Sequence, residues 1–137
     1  MRRVLPLSPD LALLFLRVVL GILMIYHGWP KITDLGGTIG GFSQMGIPLA
    51  PVAAVYAALV ETVGGVLLIL GVFSDVVGLL FAIDMLGAII FVHGKNGLGV
   101  SHGGMELVLS FMAMALVVAF VGPGRFSVAG ERTDVSS

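Results

Sequence analysis

"LALLFLRVVLGILMIYHGWPK", residues 11–31, is the stretch whose reading decides the fold. Its apolar run, broken only by Arg17, has the length of a spanning helix, about 20 mostly apolar residues. It then meets a tyrosine, a histidine, a glycine, a tryptophan, a proline and a lysine. That ending is either the place where a helix leaves the membrane or one wall of a polar site. Arg2 and Arg3 precede the run as they would in a signal peptide, but no small-residue cleavage site follows it. An uncleaved first span fits better, because three further apolar segments follow.

The composition agrees. Of 137 residues, 58% are hydrophobic and 11% charged, against about 25% charged in an average soluble domain. The mean hydropathy is +1.11. A soluble protein of this size needs more polar surface. The net charge of −1 gives no basic field for nucleic acid. The absence of cysteine excludes disulfides, thiolate nucleophiles, thiolate-held iron–sulfur clusters and CxxC redox chemistry within the chain. No Walker loop, dinucleotide fingerprint, HExxH or CxxCH occurs.

The expected fold is therefore all-α: a membrane-embedded four-helix bundle, one transmembrane domain over residues 1–137, with a polar C-terminal tail at 125–137. The spans are placed at about 10–28, 51–73, 75–92 and 104–121. Ser8 or Asp10 caps the first, and Gly28 with Pro30 closes it. The glycine-rich connection after Lys31 carries Phe42, Met45 and Ile47, spaced to dip a short helix into the interface. A tight turn at Ser74-Asp75 makes spans two and three an antiparallel hairpin. Arg2, Arg3, Arg125 and Arg132 fall on one side and Lys31 and Lys95 on the other, so both termini are expected in the cytoplasm. Tyr26, Trp29 and Tyr56 read as an aromatic belt. "YHG" at 26–28 is echoed by "VHG" at 92–94, which hints at a duplicated hairpin.

Arg17, Glu61, Asp84 and Glu106 lie within the spans, each costing roughly 2.5–3.5 kcal/mol at mid-helix on insertion scales. Their neighbours are small. Glu61 shares a face with Ala57, Gly64 and Gly65; Arg17 shares a stripe with Gly21, Met24 and Gly28; Asp84 sits above Gly87 and Ala88. Small residues let helices approach closely in lipid, so these faces are expected to turn inward. A buried polar network of Arg17, Glu61 and Asp84 follows, with Arg17 pairing one carboxylate. On the bland reading it only fixes helix register, and removing Arg17 together with Asp84 is then better tolerated than removing either. On the sharper reading the carboxyl left over handles protons.

His27, Lys31, His93, Lys95, His102 and Glu106 map to the outer end. His102 and Glu106 are four apart and can share a helix face. Two or three histidines and a carboxylate could ligate zinc, copper or iron, but the HxxxE spacing is a weak signal and no metal is expected. His27, Lys31, His93, His102 and Glu106 instead form a candidate pocket for a small ligand or a quinone head group. There His27 would donate a hydrogen bond to a carbonyl and exchange protons near neutral pH. The bland readings are interfacial histidines, an early-turn acid in Glu106, and lysines that snorkel to the interface. Pro30 is expected to break the helical relation of Lys31 to His27.

"RVVLGILMIYHGWPK" resembles the opening span of DoxX-family membrane proteins, which carry R-x3-G and then HG-x2-K; Arg17, Gly21, His27, Gly28 and Lys31 fall on those positions. "ETVGGVLLILG" resembles the family's second span, through Glu61, Gly64, Gly65 and Gly71. "GGMELVLSFMAMALVVAFVGPGRFSV" resembles the fourth, through Gly103, Gly104, Glu106, Gly122, Gly124, Arg125 and Ser127. The family's acidic end is replaced by "SVAG". The resemblance implies a compact bundle in the cytoplasmic membrane of a prokaryote and a part in quinone-linked redox complexes. An accessory subunit, with a soluble or membrane redox protein as partner and the bilayer as surroundings, is expected rather than a self-sufficient enzyme. The other class that buried charge and a polar mouth describe is a small ion-coupled transporter or lipid-binding bundle, for which a homo-oligomer could supply a cavity.

Overall fold

A computed structural model describes residues 8–99 and 104–128. Among these residues the secondary structure is entirely helical. The elements are α1 (Pro9–Thr33), α2 (Leu35–Gln44), α3 (Ala50–Leu70), α4 (Ser74–Ala88) and α5 (Glu106–Val121). A π-helical turn at Ile89–His93 and a 3-10 turn at Gly94–Asn96 follow α4. Three helical runs are long and apolar enough to cross a membrane: Pro9–Thr33, Ala50–Leu70 and Ser74–His93. The fourth apolar helix, α5, has 16 residues, about 24 Å at 1.5 Å per residue.

The first helix starts where its sequence signals place it. Ser8 is the N-cap and its hydroxyl accepts from the Asp10 amide at 3.0 Å, with Pro9 following in the first turn. Its end is a correction to the sequence reading. The helix does not stop at Gly28; it runs through Pro30 to Thr33. Proline removes one backbone donor, and side chains engage the carbonyls around it. Lys31 Nζ donates to the His27 carbonyl at 3.1 Å and Thr33 Oγ1 to that of Trp29 at 2.8 Å. Lys31 thus keeps its helical relation to His27.

α1 packs chiefly on α3, and α4 on α5. Glycines set both contacts. A side-chain carbon on Gly21 would lie 2.7 Å from the Gly65 carbonyl oxygen, and one on Gly65 would lie 2.7 Å from that of Gly21. One on Gly28 would lie 2.7 Å from Glu61 Cβ and from the Thr62 amide. Gly78 meets the Ala115 carbonyl in the same way. In lipid, where apolar burial no longer drives helices together, such close approach is the main source of attraction. Leu20, Met24 and Leu68 fill the core with Phe81, Phe111 and Val118.

Gly28→Val therefore lowers the unfolding midpoint in mild detergent, by a loss of about 1–3 kcal/mol expected for an overpacked contact. Gly36→Ala, on α2 where an added carbon meets nothing within 4 Å, does not lower it, since an unhindered alanine favours the helix. Thermal unfolding followed by circular dichroism checks both.

Candidate functional site

The interior charges separate into two places. Arg17 is fully buried, yet it pairs with neither carboxylate. Its Nη1 donates to the carbonyls of Leu68 and Ile69, both at 3.1 Å, and its Nη2 donates to the carbonyl of Phe126. The reason lies in how α3 ends. Gly71, at φ +79°, closes the helix with its own amide on the Leu67 and Leu68 carbonyls, and the Val72 amide also reaches Leu67. That leaves the Ile69 and Leu70 carbonyls without backbone donors from the helix. Arg17 takes the first, and the Val128 amide takes the second at 2.8 Å. The stretch after α5 is held there too, because the Arg125 amide donates to Asp10 Oδ1 at 2.9 Å. The expected pairing of Arg17 with Glu61 or Asp84 is thus corrected: a helix end with open carbonyls, and a tail crossing it, claim the guanidinium first.

The second place lies toward the other end of α1. Lys31, expected in the outer ligand pocket or, on the bland reading, as a snorkelling anchor, turns inward and meets Glu61, Nζ to Oε1 2.6 Å. The Glu61 side chain is 3% exposed and that of Lys31 26%. Gly28 makes the reach short, since it brings α1 against the Glu61–Thr62 backbone one turn before Lys31. The Asp84 carboxyl, on α4, lies within hydrogen-bonding reach of Glu61. Its Oδ2 is buried and accepts from no donor. One ammonium thus faces two carboxyls.

These groups border a cavity of about 550 Å³. Its walls are mainly apolar, with Phe42, Met45 and Ile47 from α2 and the residues after it, and Phe81 and Phe111 from α4 and α5. His27 and His93 also line it. The His27 ring is oriented by the Leu23 carbonyl, 2.8 Å from Nδ1, and by an edge contact with Phe111. With Nδ1–H assigned as the donor to that carbonyl, Nε2 is the acceptor in the neutral ring. The neutral ring thus offers an acceptor at Nε2, and the imidazolium the donor expected of His27.

Other expectations fare differently. Glu106 is exposed on the first turn of α5 and is not among the cavity's lining residues. It is the early-turn acid of the bland reading. His102 and the Lys95 side chain lie outside the described residues. Among the described residues, no three His, Asp or Glu side chains cluster as a metal site. Tyr26 and Trp29 are exposed on α1, but Tyr56 is not in that belt: it lines the cavity and donates to the Leu80 carbonyl at 2.6 Å. Its single polar atom is engaged within the fold, and nothing in the sequence alone separates it from an interfacial tyrosine. The two His-Gly pairs are also unlike in setting. His27-Gly28 lies inside α1 against α3, whereas His93-Gly94 joins the π turn to the 3-10 turn.

Apolar helices of spanning length, joined through glycines around an interior ion pair, define an integral membrane protein with transmembrane helices. The DoxX profile matches residues 12–94, and the chain belongs to the DoxX family. It is similar to the Bacillus subtilis protein named "Putative oxidoreductase CatD", 42% identical over 88 residues that make up 64% of each chain. The match therefore spans just under two thirds of that relative. An uncharacterised Haemophilus influenzae protein is 35% identical over 82% of this chain and 84% of its own. Inner membrane protein YphA of Escherichia coli is 26% identical over 85% and 86%. No solved structure matches.

The separation of charges has a measurable consequence. Arg17→Met and Asp84→Leu act at distant sites, so their effects on unfolding free energy add within about 0.5 kcal/mol. Lys31→Met and Glu61→Leu remove two ends of one contact and show a coupling of about 1 kcal/mol or more. Double-mutant cycles by denaturant unfolding in detergent read both.

Proposed function

We propose that this protein is a membrane subunit of a quinone-linked redox system, binding a quinone or quinol head group in the cavity between α1, α3, α4 and α5. The observation that carries the reading is the cavity itself. It has apolar, aromatic walls and a few polar groups converging at one end, the usual make-up of a small-molecule site. Lys31 has two of its three N–H groups engaged, on His27 O and Glu61 Oε1. The third can donate to a ring oxygen. His27 Nε2 can accept a hydroxyl proton, and the Asp84–Glu61 pair offers a second acceptor close by. Oxidising a quinol releases two protons and two electrons. The protons go to these groups, and the electrons go to a partner oxidoreductase, since a chain without cysteine or a haem-attachment motif supplies no such carrier of its own. The relative named as an oxidoreductase supports a redox role.

In this reading the four apolar helices span the cytoplasmic membrane as a bundle, with both termini in the cytoplasm and the cavity toward the outer face. Two relatives named as inner membrane proteins support the choice of membrane. The protein is an accessory subunit, and its partner docks from outside or within the bilayer.

The test is mass spectrometry of the tagged protein purified in mild detergent, scoring bound quinone and co-purifying polypeptides. Wild type retains quinone, and His27→Ala and Glu61→Gln lose about tenfold or more of it. A chain that carries neither quinone nor a redox partner overturns the proposal.

The second reading is ion-coupled transport, and one observation favours it: an orphaned carboxylate oxygen on Asp84, deep in a span and beside a second carboxyl. It predicts flux across liposomes that Asp84→Asn and Glu61→Gln abolish, measured with a pH-sensitive dye trapped inside.

A further inference from the structure

The seam between α3 and α4 changes along its length. Where a carbon added to Gly64 would meet Val77 Cγ1 at 3.2 Å, the helices are in contact. At Tyr56 the phenol bridges them by its bond to the Leu80 carbonyl. Beyond that bridge the seam is lined by Ala53 on one side and by Ile83 and Gly87 on the other, and all three border the cavity. A carbon added to Gly87 would meet nothing within 4 Å. This sets Gly87 apart from Gly21, Gly28, Gly65 and Gly78, whose missing side chains admit a neighbouring helix. Its missing side chain keeps space open instead. Ile83 lines the cavity while 51% exposed on the outer surface of α4. The cavity therefore reaches the side of the molecule that faces lipid, while Phe42, Met45, Ile47 and Pro48 border it from the segment after α1.

We infer that the ligand is lipid-borne and enters sideways from the bilayer, through a portal between α3 and α4 framed by Ala53, Ile83 and Gly87. This rests on the ligand-binding reading above and adds the route and the ligand class: an amphiphile with a polar aromatic head and a long apolar tail. The head reaches Lys31, Glu61 and Asp84, whose hydrogen-bonding groups lie inward of the portal. The tail lies between Ala53 and Gly87, beyond the Tyr56 bridge, and continues into lipid. A tail left in the seam costs nothing in desolvation, because both its surroundings are apolar.

The experiment uses the full chain in nanodiscs and two probes: a naphthoquinone substituted at both free quinone-ring carbons, one substituent an isoprenoid tail, and the same ring with a methyl group in place of the tail, so that neither adds a thiol. Gly87→Leu starts from a Cβ that meets nothing within 4 Å and carries its branched end into the portal. It is expected to weaken binding of the tailed probe by about tenfold or more, while the tail-less ring stays within about threefold of wild type. Equal binding of the tailed probe to wild type and Gly87→Leu overturns the portal and leaves the site itself standing. Binding of neither probe to wild type overturns the site and the portal together. A second measurement is independent of any plug. The chain has no cysteine, so Gly87→Cys gives a unique thiol for maleimide labelling. The tailed probe is expected to slow that labelling about tenfold and the tail-less ring to leave it unchanged. Equal labelling with and without the tailed probe, under conditions where it is bound, overturns the route.

Discussion

The contact on which the rest of the structure depends is the backbone-to-backbone approach of α1 and α3. It exists because Gly21, Gly28 and Gly65 have no side chains at the crossing. Its consequence is chemical as well as mechanical. At the Gly28 level, α1 lies against Glu61 and Thr62, and one helical turn later Lys31 completes an ion pair that longer helix spacing would prevent. A carboxylate deep in a span needs a partner within the chain. The partner can be supplied from the end of a neighbouring helix only if the two axes are close. The proline three residues after His27 does not interrupt this, because the lysine that follows it bonds back to the His27 carbonyl.

Arg17 solves a different problem with a similar charge. A helix that ends leaves its last carbonyls without backbone donors. Arginine presents five donors in a fixed fork, and three carbonyls from two chain segments converge on it. The segment after α5 is part of that closure: Phe126 offers a carbonyl, Val128 an amide, and Arg125 an amide to Asp10. Arg125, Phe126 and Val128 thereby acquire a structural role through their backbone groups, independent of any chemistry at the opposite end of α1.

How much of this was legible in the sequence depends on what each feature requires. The helices were legible, because apolar length and glycine stripes are local properties; so were the inward faces of Arg17, Glu61 and Gly28. The partners were not. Arg17 and Lys31 sit on one helix 14 positions apart, about 21 Å along its axis, and the sequence reading assigned a carboxylate to Arg17. What decided the matter was the termination of α3, which needs donors that a sequence does not display. Lys31 was misplaced for a related reason: proline usually ends a helix, so the lysine beyond it reads as an interfacial anchor. Tyr56 reads the same as Tyr26 and Trp29 until the seam it bridges is known. Gly87 was legible only as a small neighbour of Asp84; that its space is empty rather than filled is a fact of packing.

The division of cations also bears on the chemistry proposed for the cavity. Had Arg17 joined Lys31 beside Glu61 and Asp84, two cations would have balanced two carboxylates, and every acceptor would have been engaged. With Arg17 bound to carbonyls elsewhere, one lysine serves two carboxyls, and an Asp84 oxygen is left without a donor. In a medium of low dielectric that imbalance is costly, and it is relieved by a proton or by a ligand that donates hydrogen bonds. A hydroxyl-bearing head group provides both, since it donates on arrival and leaves a proton behind on oxidation. A transported cation provides only the charge. The acceptor at His27 Nε2 sharpens the difference. An imidazole held by Leu23 at its other nitrogen presents Nε2 to a hydroxyl-bearing head group, and the aromatic edge of Phe111 beside it favours a flat, apolar ring over a hydrated ion.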